Sequence, residues 1–229
     1  MMFGLQKMTL LDYPGKVACT VFCSGCNFRC PFCHNPALAT GDESTLDYRF
    51  SDILSFLENR KKKLDGICIT GGEPLLYEET LELAERAKKM GFAVKVDTNG
   101  SLPERLQKIV ENGLADYIAM DIKNSPEKYE KTSGSKKLEL VKESVSYLLQ
   151  NKVDYEFRTT VTGNLHTAAD FEEIGKWISG AKRYFLQKFV DSGSILNGAG
   201  KDFEVSRETM EGYRKAVLPF IPSVEFRGI

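Results

Sequence analysis

Short apolar strands alternate with amphipathic helices along the 229 residues, and this rhythm constrains the fold more than any other property. Lys16–Phe22 (KVACTVF) reads as a strand, and Phe50, Ile53, Leu54 and Leu57 then give the i, i+3, i+4, i+7 stripe of a helix. Gly66–Thr70, Ala93–Asp97, Tyr117–Asp121, Tyr155–Thr160 and Tyr184–Lys188 read as five more strands. Helical stripes follow near Glu78–Met90, from Pro103 to Gly113, at Leu138–Leu148, after Asp170 and near Arg207–Leu218. Such repetition implies right-handed crossovers and a parallel sheet. Six units are two short of a closed eight-fold barrel, so the pattern predicts an α/β chain forming a partial (β/α)6 TIM-like barrel. A doubly wound sheet is the alternative. The length suits one core, predicting a single domain over 1–229. The Gly-rich loop Asp191–Asp202 is long enough to be mobile.

Charge excludes some partners. Lys plus Arg number 31 against 32 Asp plus Glu, a balance that calls for neither a nucleic-acid nor a membrane surface. No run is apolar for long enough to cross a bilayer, and the first residues lack the pattern of a signal peptide. The expectation is therefore a cytoplasmic protein with reduced thiols, whose clustered cysteines are metal ligands rather than disulfides.

Five of the six cysteines lie between Cys19 and Cys33, and three form the run Cys26-Asn-Phe-Arg-Cys30-Pro-Phe-Cys33 directly after the first strand. Active sites of parallel α/β folds gather at that end of the strands. A four-iron cubane normally takes four cysteines, so three leave one iron open for a ligand. The competing reading is a zinc site on Cys23, Cys26, Cys30 and Cys33, which the short separation of its CxxC pairs disfavours. Three further segments end strands: Gly71-Gly72-Glu73-Pro74, Asp97-Thr-Asn-Gly100 and Asp121-Ile-Lys123. The glycines permit close backbone approach to a ligand. Asp121 and Lys123, two apart, point to one side while strand geometry lasts.

The spacing C-x-x-x-C-x-aromatic-C, with Phe32 at the aromatic position, resembles the signature of the radical S-adenosylmethionine (SAM) enzymes. Together with Asp12-Tyr-Pro-Gly15 and Cys33-His-Asn-Pro36, it resembles the activating enzymes of glycyl radical proteins, most nearly those of anaerobic ribonucleoside-triphosphate reductase. The resemblance implies a [4Fe–4S] cluster on Cys26, Cys30 and Cys33 whose open iron takes SAM. One electron would then release methionine and a 5′-deoxyadenosyl radical, which removes a hydrogen from a partner's backbone glycine. It further implies that Gly71, Gly72 and Glu73 hold the methionyl amino group. Asp97, Asn99, Asp121 and Lys123 would lie around SAM and help hold a monovalent cation. The implied partners are a glycyl radical enzyme and a flavodoxin- or ferredoxin-type electron donor. A side chain at Gly72 is expected to block SAM and spare the cluster.

Arg158, inside an apolar strand, needs either a SAM contact or an acidic neighbour; Gln187 is its counterpart on the next strand. His34 and His166 are assigned no catalytic role. Cys23 is expected to be a spare thiol near the cluster, and Cys68 a small core residue. Two rival functions remain: a radical SAM enzyme acting on a small molecule, similar to 7-carboxy-7-deazaguanine synthase, and a zinc-binding or electron-transfer module.

Overall fold

The computed structural model describes residues 2–191, 193–197 and 200–228. The strands are β1 (Met2–Thr9), β2 (Ala18–Cys23), β3 (Tyr48–Arg49), β4 (Gly66–Gly71), β5 (Ala93–Thr98), β6 (Tyr117–Asp121), β7 (Asp154–Val161), β8 (Tyr184–Lys188) and β9 (Val224–Arg227). The helices are α1 (Pro36–Thr40), α2 (Phe50–Glu58), α3 (Glu78–Lys89), α4 (Pro103–Glu111), α5 (Tyr129–Ser133), α6 (Leu138–Leu148), α7 (Ala168–Trp177) and α8 (Arg207–Val217).

One sheet runs in the order β3-β1-β2-β4-β5-β6-β7-β8-β9, parallel from β2 to β9. After β2 the order never reverses, whereas a doubly wound sheet requires a reversal. The partial-barrel expectation therefore holds. Sequence reading missed three strands. β1 pairs antiparallel with β2, β3 pairs antiparallel with β1, and β9 adds a seventh parallel strand beyond β8.

Alternate residues explain why the sheet curls around a polar interior. Cys19, Val21 and Cys23 of β2, Ile67 and Ile69 of β4, and Val94 and Val96 of β5 share one core with the helices. The opposite parity carries Thr20, Cys68, Lys95, Asp97 and Arg158, joined to one another or to loop groups by polar contacts. Capping fixes where helices begin: Thr167 and Asp170 form a capping box at α7, and the Ser206 hydroxyl accepts from Thr209 N at α8.

The segment Asp12–Gly15 closes the floor, at the N-terminal ends of the strands. Tyr13 is buried with Ala18 and Tyr117, with Ala93 packed against them. The Thr20 hydroxyl donates to Asp12 Oδ2 at 2.6 Å. Among the described residues, no helix is long and apolar enough to cross a membrane.

Candidate active site

A cavity of about 300 Å³ opens at the opposite, C-terminal end of the strands. Its wall includes Cys26, Cys30, Phe32 and Cys33 from the loop after β2, and Gly71 and Gly72 at the end of β4. Asp97 and Asn99 enter from β5, Asp121 and Lys123 from β6, Arg158 from β7 and Gln187 from β8. Every residue that the sequence assigned to the cluster or to SAM reaches this wall except Glu73.

Glu73 lies behind it, fully buried, and its carboxylate is already engaged. It accepts from Asn99 N at 2.7 Å, the Thr98 hydroxyl at 2.9 Å and Leu75 N at 3.1 Å. It therefore ties the end of β4 to the end of β5 rather than presenting a free oxygen to a ligand's ammonium group. Burial pushes its carboxyl up to about 7 in spite of these donors.

The two glycines are dictated by crowding. Gly71 has φ of +125°, a conformation that L side chains rarely adopt. A Cβ on Gly72 would fall onto the Gly25 carbonyl, 2.5 Å from its carbon and 3.2 Å from Cys26 N. Glu73 N also donates to the Gly25 oxygen at 2.8 Å. Gly72 thus sets the position of the cysteine loop itself. This corrects the expectation that a side chain there would spare the cluster.

Each thiol has defined surroundings. Cys26 Sγ accepts from Phe28 N at 3.4 Å and faces Asn99 Nδ2 at 3.8 Å. Asn99 also donates to Asn27 Oδ1 at 2.9 Å, and Asn27 donates to Ser101 at 2.7 Å. Cys30 donates to the Ser133 carbonyl at 3.7 Å. Burial pushes the Cys26 thiol up and the Cys30 thiol up to about 11, so metal binding must displace a proton from each.

Cys23 is elsewhere: it is fully buried among core residues, with Sγ 3.8 Å from the Thr80 hydroxyl of α3. It is neither beside the cavity nor able to act as a fourth ligand, so the zinc reading loses a donor. Among the described residues, no three His, Cys, Asp or Glu side chains crowd around one point as a mononuclear ion requires. A cubane instead takes one thiolate at each of three separate irons.

The acidic and basic groups form one chain of contacts. Arg158 reaches both carboxylates, with Nη2 3.1 Å from Asp97 Oδ2 and Nε 2.6 Å from Asp121 Oδ1. Lys123 Nζ lies 2.8 Å from Asp121 Oδ2, and Lys95 Nζ donates to Asp97 Oδ1. Arg158 therefore has the acidic neighbours offered as one alternative, and it also lies on the cavity wall. Burial pushes both carboxyls up, but Arg158 with Lys123 at Asp121, and with Lys95 at Asp97, holds them below the usual range.

Three side chains escaped functional assignment from the sequence. Lys95 is 2% exposed, and its second neighbour is Cys68 Sγ at 3.6 Å. Cys68 is accordingly not a plain core residue but part of the polar interior. His34 lies on the cavity wall against the Phe189 ring, and its buried Nε2 has no hydrogen-bond partner among the described residues. Burial, with Lys123 nearby, lowers its pKa and favours the neutral imidazole. Asn27 anchors Asn99, as described above. In the loop after β8, Asn197 N donates to Pro31 O at 3.0 Å and Phe203 packs edge-on against Phe32. Residues 192, 198 and 199 of the loop expected to be mobile lie outside the described residues.

Residues 20–178 match the Radical SAM superfamily, and this chain belongs to that superfamily. The structure of Streptococcus suis SuiB bound to S-adenosylmethionine superposes with a TM-score of 0.66 at 11% identity, covering 89% of this chain and 45% of that one. Radical SAM proteins use a [4Fe–4S] cluster on three cysteines together with SAM. A Methanocaldococcus jannaschii protein named as a glycyl-radical enzyme activating enzyme is 34% identical over 194 residues, 81% of this chain and 78% of that protein. Within the superfamily, the chain is a member of the glycyl-radical-enzyme activating enzymes. The 7-carboxy-7-deazaguanine synthase of Methanopyrus kandleri is 33% identical over 130 residues, 48% of this chain and 51% of that enzyme.

The residues present fit the two cofactors. Three thiols stand on one wall, and two N–H groups face Cys26 Sγ, where they suit a thiolate. Gly71 and Gly72 leave backbone without side chains beside them. The monovalent cation fits less well, because all four oxygens of Asp97 and Asp121 already meet cationic side chains.

Proposed function

We propose that Cys26, Cys30 and Cys33 hold the cluster and that SAM lies in the adjoining cavity, from which this chain installs a glycyl radical on a partner enzyme. When bound, the cluster supplies one electron that splits SAM into methionine and a 5′-deoxyadenosyl radical. The chain's own groups bind and orient. The backbone at Gly71 and Gly72 admits the methionyl amino group, and Glu73 acts behind it by fixing the two strand ends. Lys123 and Arg158 receive the carboxylate, and Lys95 gives this group of two carboxylates and three cations its one surplus positive charge. Phe32, Asn99, Asp97 and Asp121 complete the enclosure, and Phe32 is held by the Phe203 ring.

A single observation carries this reading: the three thiols share one cavity wall with the GGEP, DTNG and DxK segments and Arg158, which the sequence places far apart. The volume of about 300 Å³ sits at the lower end of ligand cavities. We assign the partner as anaerobic ribonucleoside-triphosphate reductase, on the DYPG and CHNP segments, and the electron donor as a flavodoxin or ferredoxin. Mixing reduced, reconstituted protein with SAM and the reductase should give the paramagnetic signal of a glycyl radical. Failure to raise that signal in any glycyl radical enzyme refutes the assignment. The similarity to 7-carboxy-7-deazaguanine synthase gives a second reading, which SAM cleavage driven by a small molecule alone would support.

A further inference from the structure

We propose that Lys95 supplies, from within the chain, positive charge that Asp97 and Asp121 would otherwise draw from a monovalent cation, so that SAM binding here needs none. The inference rests on the reading of the cavity as the SAM site. A hard cation seeks uncommitted anionic oxygens, and these two carboxylates have none. Lys95 takes Asp97 Oδ1, Arg158 takes Asp97 Oδ2 and Asp121 Oδ1, and Lys123 takes Asp121 Oδ2. Three cationic side chains thus face two carboxylates. The surplus repels another cation and attracts a carboxylate.

Lys95 completes the arrangement from below. It is 2% exposed and is absent from the cavity wall, so it does not touch the ligand. Its four-carbon stem lies on the polar side of the sheet, and its ammonium is also 3.6 Å from Cys68 Sγ, which itself lies 3.8 Å from the same Asp97 Oδ1. With Asp97 Oδ1 taken from beneath, Oδ2 is left for Arg158, which carries the charge up to the wall. Lys95 is a positioning residue. Removing it frees a carboxylate oxygen, and a small cation can then bind.

The test is SAM titration of the anaerobically reconstituted protein in tetramethylammonium chloride and in potassium chloride at equal ionic strength. The wild-type dissociation constants should agree within about twofold. Lys95→Met should bind roughly tenfold more weakly in tetramethylammonium and recover most of that loss in potassium. A merely structural lysine gives a loss that potassium does not restore, and that result overturns the inference. So does a wild-type affinity that rises by about fivefold or more on adding potassium. If Lys95→Met does not fold, the wild-type comparison alone decides. Absence of SAM binding in every salt removes the site reading and this inference together, whereas potassium-dependent wild-type binding removes only the inference.

Discussion

Gly72→Ala adds one methyl group at the point where the GGEP turn meets the cysteine loop. The new Cβ would lie 2.5 Å from the Gly25 carbonyl carbon, and ordinary carbon–carbon contact is about 3.5 Å or more, so the carbonyl must retreat by about 1 Å. That movement breaks the hydrogen bond from Glu73 N to Gly25 O, which contributes about 1 kcal/mol net. Strain from overpacking adds about 1–3 kcal/mol. The expected loss is therefore about 2–4 kcal/mol, which a domain of ordinary stability survives. Function suffers more than folding. Cys26 follows Gly25 directly, and a site tolerates only about 0.5 Å of misplacement in its ligands. Urea denaturation of the apoprotein measures the first effect, and iron and acid-labile sulfide after anaerobic reconstitution measure the second. A variant that loads a full cluster and loses less than about 0.5 kcal/mol refutes the claim that Gly72 seats the cysteine loop.

Cys30→Ala should lose iron and SAM cleavage while unfolding within about 1–2 kcal/mol of wild type, because its thiol makes one weak hydrogen bond; unfolding as severe as that of a core variant argues for a structural metal. Tyr13→Ala removes the floor beneath the barrel and should cost about 3–5 kcal/mol in denaturation while leaving SAM affinity unchanged. Lost affinity at unchanged stability would make DYPG a ligand-binding segment. Glu73 links stability to pH. Its folded pKa of about 7 exceeds the ordinary 4.5, so the native state holds the extra proton between these values. The contribution is full below pH 4.5 and is lost as pH rises through 7, by about 3 kcal/mol in all. Glu73→Gln should flatten that slope in urea titrations from pH 4.5 to 7.5, and an unchanged slope contradicts the assignment.

The six central strands were legible because each is a short apolar run followed by a helical stripe, and the two periodicities leave little choice. β1 was not, because Gly4–Thr9 mixes Leu5 and Met8 with Gln6 and Lys7, as an antiparallel strand with one wetted side can. β9 is four residues at the chain's end, too short for periodicity to register. The cavity wall was legible for the same reason as the strands: motifs at the C-terminal ends of parallel strands must converge. What spacing could not show is which group stands behind which. Glu73 and Gly72 are neighbours in one motif, yet one faces inward to hold Asn99 and the other is defined by the loop it touches. Lys95 obeys the same rule as Lys123. The i, i+2 parity that joined Asp121 to Lys123 also joins Lys95 to Asp97, and a lysine in the middle of a buried strand must have a charged partner. Applied at AVKVD, that parity gives the same ion pair and points to a barrel interior wired with charge from floor to mouth. Cys68 belongs to the same reasoning. Its register partner on β5 is Lys95, so it lies on the polar side of the sheet, whereas Ile67 and Ile69 on either side of it belong to the core against the helices.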